Sequence, residues 1–183
     1  MARTWLSIRV ELVSGRGEDF WPRPGRLFAA ARSHSFRQLA GAIDLAFARW
    51  DLAHLHSFTN AGGTTVTPLD LWDGEAPEGS LDSDRTKLSR LQPGEQFAYS
   101  FDFGDDWEHL CTVGIERIDP LDTVGMRPVS PTPYFGWGDL PDQYGRRWDT
   151  DDGDALEPER PADPLTDLPP ILPWWGPRRP GGV

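Results

Sequence analysis

Phe97-Ala98-Tyr99-Ser100-Phe101-Asp102-Phe103-Gly104-Asp105-Asp106-Trp107-Glu108-His109-Leu110-Cys111 leaves the chain few ways to fold. Phe97, Tyr99, Phe101 and Phe103 recur every second residue, the period of a strand with one covered face. Trp107, His109, Cys111, Val113 and Ile115 carry the odd-numbered face onward after a Gly-Asp-Asp turn, so the segment reads as a β-hairpin. A three-residue loop at 104–106 keeps that parity and sets Phe103 opposite Trp107, Phe101 opposite His109 and Tyr99 opposite Cys111. A two-residue loop would set Asp106 against Phe103, polar against apolar. The expected register also opposes Asp102 and Glu108 on the second face. Like charges across a ladder need an arginine, a shared proton or a cation, unless both carboxylates turn into water.

The turn therefore concentrates reactive groups, and Asp102, Asp105, Asp106 and Glu108 are the candidate acid/base residues. Upstream, His54-Leu55-His56-Ser57-Phe58-Thr59 reads as a short strand with both histidines on one face. Such a pair can offer two imidazoles to one divalent metal, zinc or manganese, with His109 as a third ligand. The competing interpretation packs His54 and His56 around a core Leu55, and Phe58 on the same face favours it. Cys111 is the sole cysteine, which excludes an internal disulfide and a multi-thiolate zinc site. Its apolar neighbours fit a small buried side chain better than a nucleophile.

Leu6, Ile8, Val10 and Leu12 alternate with polar residues and give a half-buried first strand. Pro22-Arg23-Pro24-Gly25 breaks the chain and would confine a second strand to an edge or split it with a bulge, with Leu27 to Ala31 resuming it. Ser35 with Gln38 forms a capping-box pattern, and Phe36, Leu39, Ala40, Ile43, Phe47 and Trp50 fall at helical spacing. A helix is expected over 36–50. Residues 60–90, rich in turn formers, read as a loop insertion, and the strand after the hairpin turn should end near Ile118 at Asp119-Pro120. The expected fold class is α+β, a mixed, mostly antiparallel sheet of about five strands on one main helix, with an irregular C-terminal arm and tail.

Net charge is −11 over 183 residues, which favours solubility and weighs against a phosphate-backbone partner. Residues 1–50 nevertheless hold eight arginines against four acids, while Lys87 is the single lysine. No apolar run approaches transmembrane length and the amino end has no signal-type core, so a cytoplasmic protein without a membrane partner is expected. Tyr134 to Arg146 is aromatic and glycine-rich with little periodicity. It can serve as a lid presenting Trp137 and Tyr144, beside Trp107, to a ligand, or as an arm covering a sheet edge. One domain is expected over 1–148, followed at 149–183 by an acidic, Pro-rich, largely disordered tail. In that tail Asp149, Asp151, Asp152 and Asp154 only loosely follow a calcium-loop pattern, and Trp174-Trp175 suits docking on the domain or a partner.

The order Trp21-Pro22-Arg23, a helix ending at Trp50, His54-Leu55-His56-Ser57-Phe58, a Leu-x-x-Gly-x-x-Phe-x-Tyr element at Leu91 to Tyr99, and Asp102-Phe103-Gly104-Asp105-Asp106-Trp107-Glu108-His109 resembles the plasmid pRiA4b ORF-3-like family from about Thr4 to Tyr144. The resemblance implies a compact α+β domain in a bacterial protein often carried by insertion elements. The resemblance also brings a resolvase label, sometimes given to relatives on that context, without settled catalytic residues. Pro22 stands where the family has the first arginine of a Trp-Arg-Arg element, and the family's downstream cysteine segment has no counterpart here. Three functions follow as expectations: a noncatalytic ligand- or protein-binding module, a metal-dependent hydrolase-like enzyme, and a DNA recombination accessory.

Overall fold

The computed structural model describes residues 5–146. The acidic run from Asp149 and the Trp174-Trp175 element lie outside the described residues.

The first strand forms as its alternation dictates: β1 (Trp5–Gly15) buries Leu6, Ile8, Val10 and Leu12. It pairs with a short β2 (Glu18–Asp19) and, across the Pro22-Arg23-Pro24 break, with β3 (Gly25–Ala31). The break delays β3 but does not push it to the edge, because a further strand pairs on its other side.

Ser35 caps α1 (Phe36–Ala46): its side chain accepts from the Gln38 N–H while the Gln38 side chain accepts from the Ser35 N–H, a complete capping box. Phe36, Leu39, Ala40 and Ile43 pack on the sheet. The helix ends four residues before Trp50. Ala48 has φ +58°, its N–H donates to the Leu45 carbonyl at 3.2 Å, and the Arg49 N–H donates to the Asp44 carbonyl at 2.8 Å. That Schellman-type ending turns Arg49 inward, so the apolar spacing outlives the helix.

β4 (His56–Asn60) follows, and the stretch expected to be a loop adds β5 (Thr65–Thr67) and β6 (Leu81–Asp82). Buried Val66 opposes Phe58, which gives β5 an apolar reason to extend the sheet. β7 (Gln96–Phe101) and β8 (Trp107–Ile118) form the hairpin, one short helical turn α2 (Pro120–Thr123) follows, and β9 (Thr132–Trp137) closes the chain's sheet. The order is β6-β5-β4-β7-β8-β1-β3-β9 with β2 beside β1, antiparallel except for β5–β6. The fold is thus a mixed sheet of nine strands rather than about five, and β9 is an edge strand where an irregular arm was expected.

Parity in the hairpin holds while the register moves by two residues. Phe101 opposes Trp107, Tyr99 opposes His109 and Phe97 opposes Cys111, joined by a five-residue loop at 102–106. Asp102 leaves the ladder at φ +54°; its carboxylate accepts from the Gly104 N–H at 3.1 Å and the Asp105 N–H at 3.4 Å, and its own N–H donates to the Leu55 carbonyl. Such an Asx turn satisfies the loop locally and frees Phe103, which is 45 % exposed. The expected Asp102–Glu108 opposition therefore does not occur. Glu108 opposes Ser100 and accepts its hydroxyl hydrogen bond.

Candidate functional site

Three groupings of chemically capable side chains emerge. The first surrounds the hairpin turn. The Tyr144 hydroxyl donates to the Asp51 carboxylate at 2.9 Å and lies 2.8 Å from His54 Nε2, while His54 Nδ1 is 3.4 Å from Asp102. With its O–H donating to Asp51, the phenol oxygen is left to accept from His54 Nε2–H. Desolvation, then Asp51, pushes the Tyr144 hydroxyl up to about 12. The Ala53 N–H and the Tyr144 hydroxyl hold Asp51 below its usual range. Trp50 meets the Tyr144 ring edge-on at 5.1 Å and donates from Nε1 to Asp142 at 3.1 Å, so the arm after β9 is latched to the segment between α1 and β4, whose His54 meets the turn at Asp102. Of the expected site residues, the fold brings His54, Asp102 and Tyr144 together here.

The second grouping is buried between α1 and the sheet. Tyr99 donates to Asp44 at 2.7 Å, and the Arg49 guanidinium stacks 3.7 Å from the Trp107 ring centroid. Burial pushes Asp44 up to about 7 against the opposing Tyr99 hydrogen bond and Arg49 charge, and lowers Arg49 to about 10. His109 packs edge-on against Phe47 at 4.8 Å with Nδ1 facing the Tyr99 carbonyl, and burial and then Arg49 lower it to about 3. His56 packs between Phe58 and Tyr99 and is lowered to about 4, by burial first and Arg37 second. These two imidazoles are core side chains kept neutral.

Several expectations are corrected by these positions. His54 precedes β4 and faces the turn, His56 and His109 face the core, and among the described residues no group of three or more His, Cys, Asp or Glu side chains is arranged to hold a metal ion. The expected zinc or manganese triad is not assembled, because the strand starts two residues late and separates the pair. Trp107 is 1 % exposed beneath Phe20 and Arg49, so its ring serves packing and not a ligand. Trp137 donates from Nε1 to the Arg23 carbonyl and covers Gly25 at the sheet edge, with Arg9 over its ring at 4.6 Å. Asp105 accepts the Arg16 N–H at its carbonyl, and Asp106 is exposed. Burial, and to a lesser degree Asp106, outweigh the Ser100 hydrogen bond and raise Glu108 above its usual range. Cys111 is fully buried and pushed up by desolvation, as a packed thiol should be.

The third grouping contains none of the expected site residues. Where α1 begins, the sheet opens a cavity of about 160 Å³. Phe36, Phe58, Val66, Leu81, Leu91 and Phe97 make its apolar wall, and Asn60, Thr64, Thr86, Arg90 and Glu95 its polar rim. Phe36 meets Phe58 at 5.1 Å and Phe97 at 6.2 Å, both edge-on, and Phe58 meets Phe97 at 5.9 Å, giving a three-ring box. Reading 60–90 as a loop hid Val66 and Leu81, the far wall; the pair Leu88 and Leu91 before the Pro93-Gly94 turn was the available signal.

The fold has a solved counterpart. A crystal structure of a protein of unknown function, MM3350, from Methanosarcina mazei Go1 superposes with a TM-score of 0.55 at 18 % identity, covering 74 % of this chain and 71 % of that one, a likeness of fold alone. No curated protein matches the chain. Residues 7–132, well over half of the sequence, match the family described as Plasmid pRiA4b ORF-3-like protein, and the chain belongs to that family.

Proposed function

We propose that the protein is a noncatalytic binding module that takes a small ligand in the cavity bounded by Phe36, Phe58 and Phe97, and that it is a cytoplasmic accessory of the mobile elements its family name evokes. The carrying observation is the cavity itself: an apolar box with a few convergent polar groups at its mouth is the usual form of a small-molecule site. Its volume is near the roughly 150 Å³ at which an engineered apolar cavity admits benzene. Its wall and rim hold one carboxylate and one guanidinium but no imidazole or thiol, so it is equipped to recognise rather than to transform.

Ligand-observed NMR with fragment-sized compounds tests this. Fragments of one ring are expected to bind wild type and to lose binding in Thr64→Phe, which fills the mouth from a half-buried position. Hits that bind both proteins equally would contradict it.

One observation favours an enzyme instead: His54 is held between the Asp102 carboxylate and the Tyr144 hydroxyl, in a form suited to proton transfer. For DNA recombination the acidic balance and single lysine offer a phosphate backbone little to hold.

A further inference from the structure

The rim of the cavity is not electrically even. Glu95 is committed: its carboxylate accepts the Gln92 N–H at 2.8 Å and closes the turn through Pro93 and Gly94. Arg90 lines the same cavity and is exposed, and its guanidinium makes no hydrogen bond or ion pair with any described residue. Its backbone is nonetheless fixed. Leu88–Arg90 form one 3₁₀ turn, the Arg90 N–H donates to the Lys87 carbonyl, and Arg32 donates to the carbonyls of Ser89 at 2.6 Å and Leu91 at 3.1 Å. Arg32 thereby puts a second cation behind the same turn. In a chain of net charge −11, two guanidiniums, Arg90 on the rim and Arg32 behind it, stand against the single rim carboxylate, Glu95, over a box of three phenyl rings.

We infer that the ligand is a small amphipathic monoanion, a ring-sized apolar group with a carboxylate one or two bonds away, its ring between Phe36, Phe58 and Phe97 and its carboxylate on Arg90. The planar guanidinium offers a carboxylate two parallel donors, and the hydroxyls of Thr64 and Thr86 and the amide of Asn60 add neutral partners on the same rim. This assignment rests on the cavity being a binding site.

A matched series separates the two claims: phenylacetate, 2-phenylethanol and 2-phenylethylamine, titrated into the whole protein while the methyl resonances of Val66, Leu81 and Leu91 are followed. Phenylacetate is expected to bind about tenfold tighter than the alcohol at low salt, since hydrogen bonds to charged groups are the stronger ones but exposure weakens them. In Arg90→Gln the gap should shrink to about twofold, and added salt should narrow it in wild type. Equal binding of acid and alcohol, a preference unchanged in Arg90→Gln, or tightest binding of the amine with loss in Glu95→Gln would overturn the anion assignment while leaving the cavity as a site. Failure of all three compounds to move the Val66, Leu81 and Leu91 resonances would overturn both.

Discussion

Single residues set the pH response of the fold. His109 and His56 are held neutral by burial, near 3 and 4, against about 6.5 in an unfolded chain. Below pH 6.5 the unfolded chain takes up protons that the folded one refuses, so the stability these residues contribute is complete above 6.5 and is lost as pH falls. Each contributes a slope approaching about 1.4 kcal/mol per pH unit. Asp44 runs the other way: raised from 3.8 to about 7, it keeps a proton in the folded state that the unfolded chain releases, so its effect lowers stability as pH rises between those values. Glu108, raised but only half-buried, acts in the same direction as Asp44 and more weakly, so the two histidines outweigh both carboxylates and urea midpoints are expected to fall from pH 6.5 to 4.5. In Asp44→Asn the fall should steepen by about one proton's worth. A flat wild-type profile over that range would refute this assignment of charges. The sequence disclosed that His56 shares a face with Phe58, and so the packed interpretation of it. It could not disclose the neutral state of His109, which depends on Phe47 and Arg49 arriving from the far end of α1.

At the scale of elements, close contacts between strands decide what each position tolerates. Gly15 ends β1 directly under the Trp107 ring, and a Cβ there would collide with that ring. Gly41, on α1, faces open space. Gly15→Ala is therefore expected to cost about 1–3 kcal/mol by overpacking, and Gly41→Ala to gain up to about 1 kcal/mol from helix propensity. Chemical denaturation checks both, and a Trp107→Leu background should remove much of the Gly15→Ala cost if the collision is its cause. Alternation exposed β1, β7 and β8 because each has one fully covered face over many residues. β5 and β6 are two or three residues long, too short for a period to show, and they exist because Val66 and Leu81 pack beside Phe58 and α1. The two-residue error in hairpin register has a similar origin: Asp102 prefers its Asx turn to a ladder position, and a side-chain capping bond leaves no trace in hydrophobic parity.

For the whole molecule, chemistry and concavity are at separate places. The segment Asp102 to His109 forms the hairpin turn, sets Asp102 beside His54 and packs Trp107 against the buried Arg49. The cavity, at the other end of β7 and beneath the start of α1, is assembled from α1, β4, β5, β6, β7 and the turn before β7, six pieces whose convergence only the folded sheet reveals. A reading of residues finds reactive groups more readily than empty space, because space belongs to no residue. Among the described residues no helix is long and apolar enough to cross a membrane. The most direct test of the cavity as the working site is methyl chemical-shift mapping with the tightest fragment from the screen. Saturable shifts confined to Val66, Leu81 and Leu91, with the Val10 and Val113 methyls unmoved, are expected; saturable shifts centred instead on residues around His54 and Tyr144 would contradict the assignment and move the site to the hairpin turn.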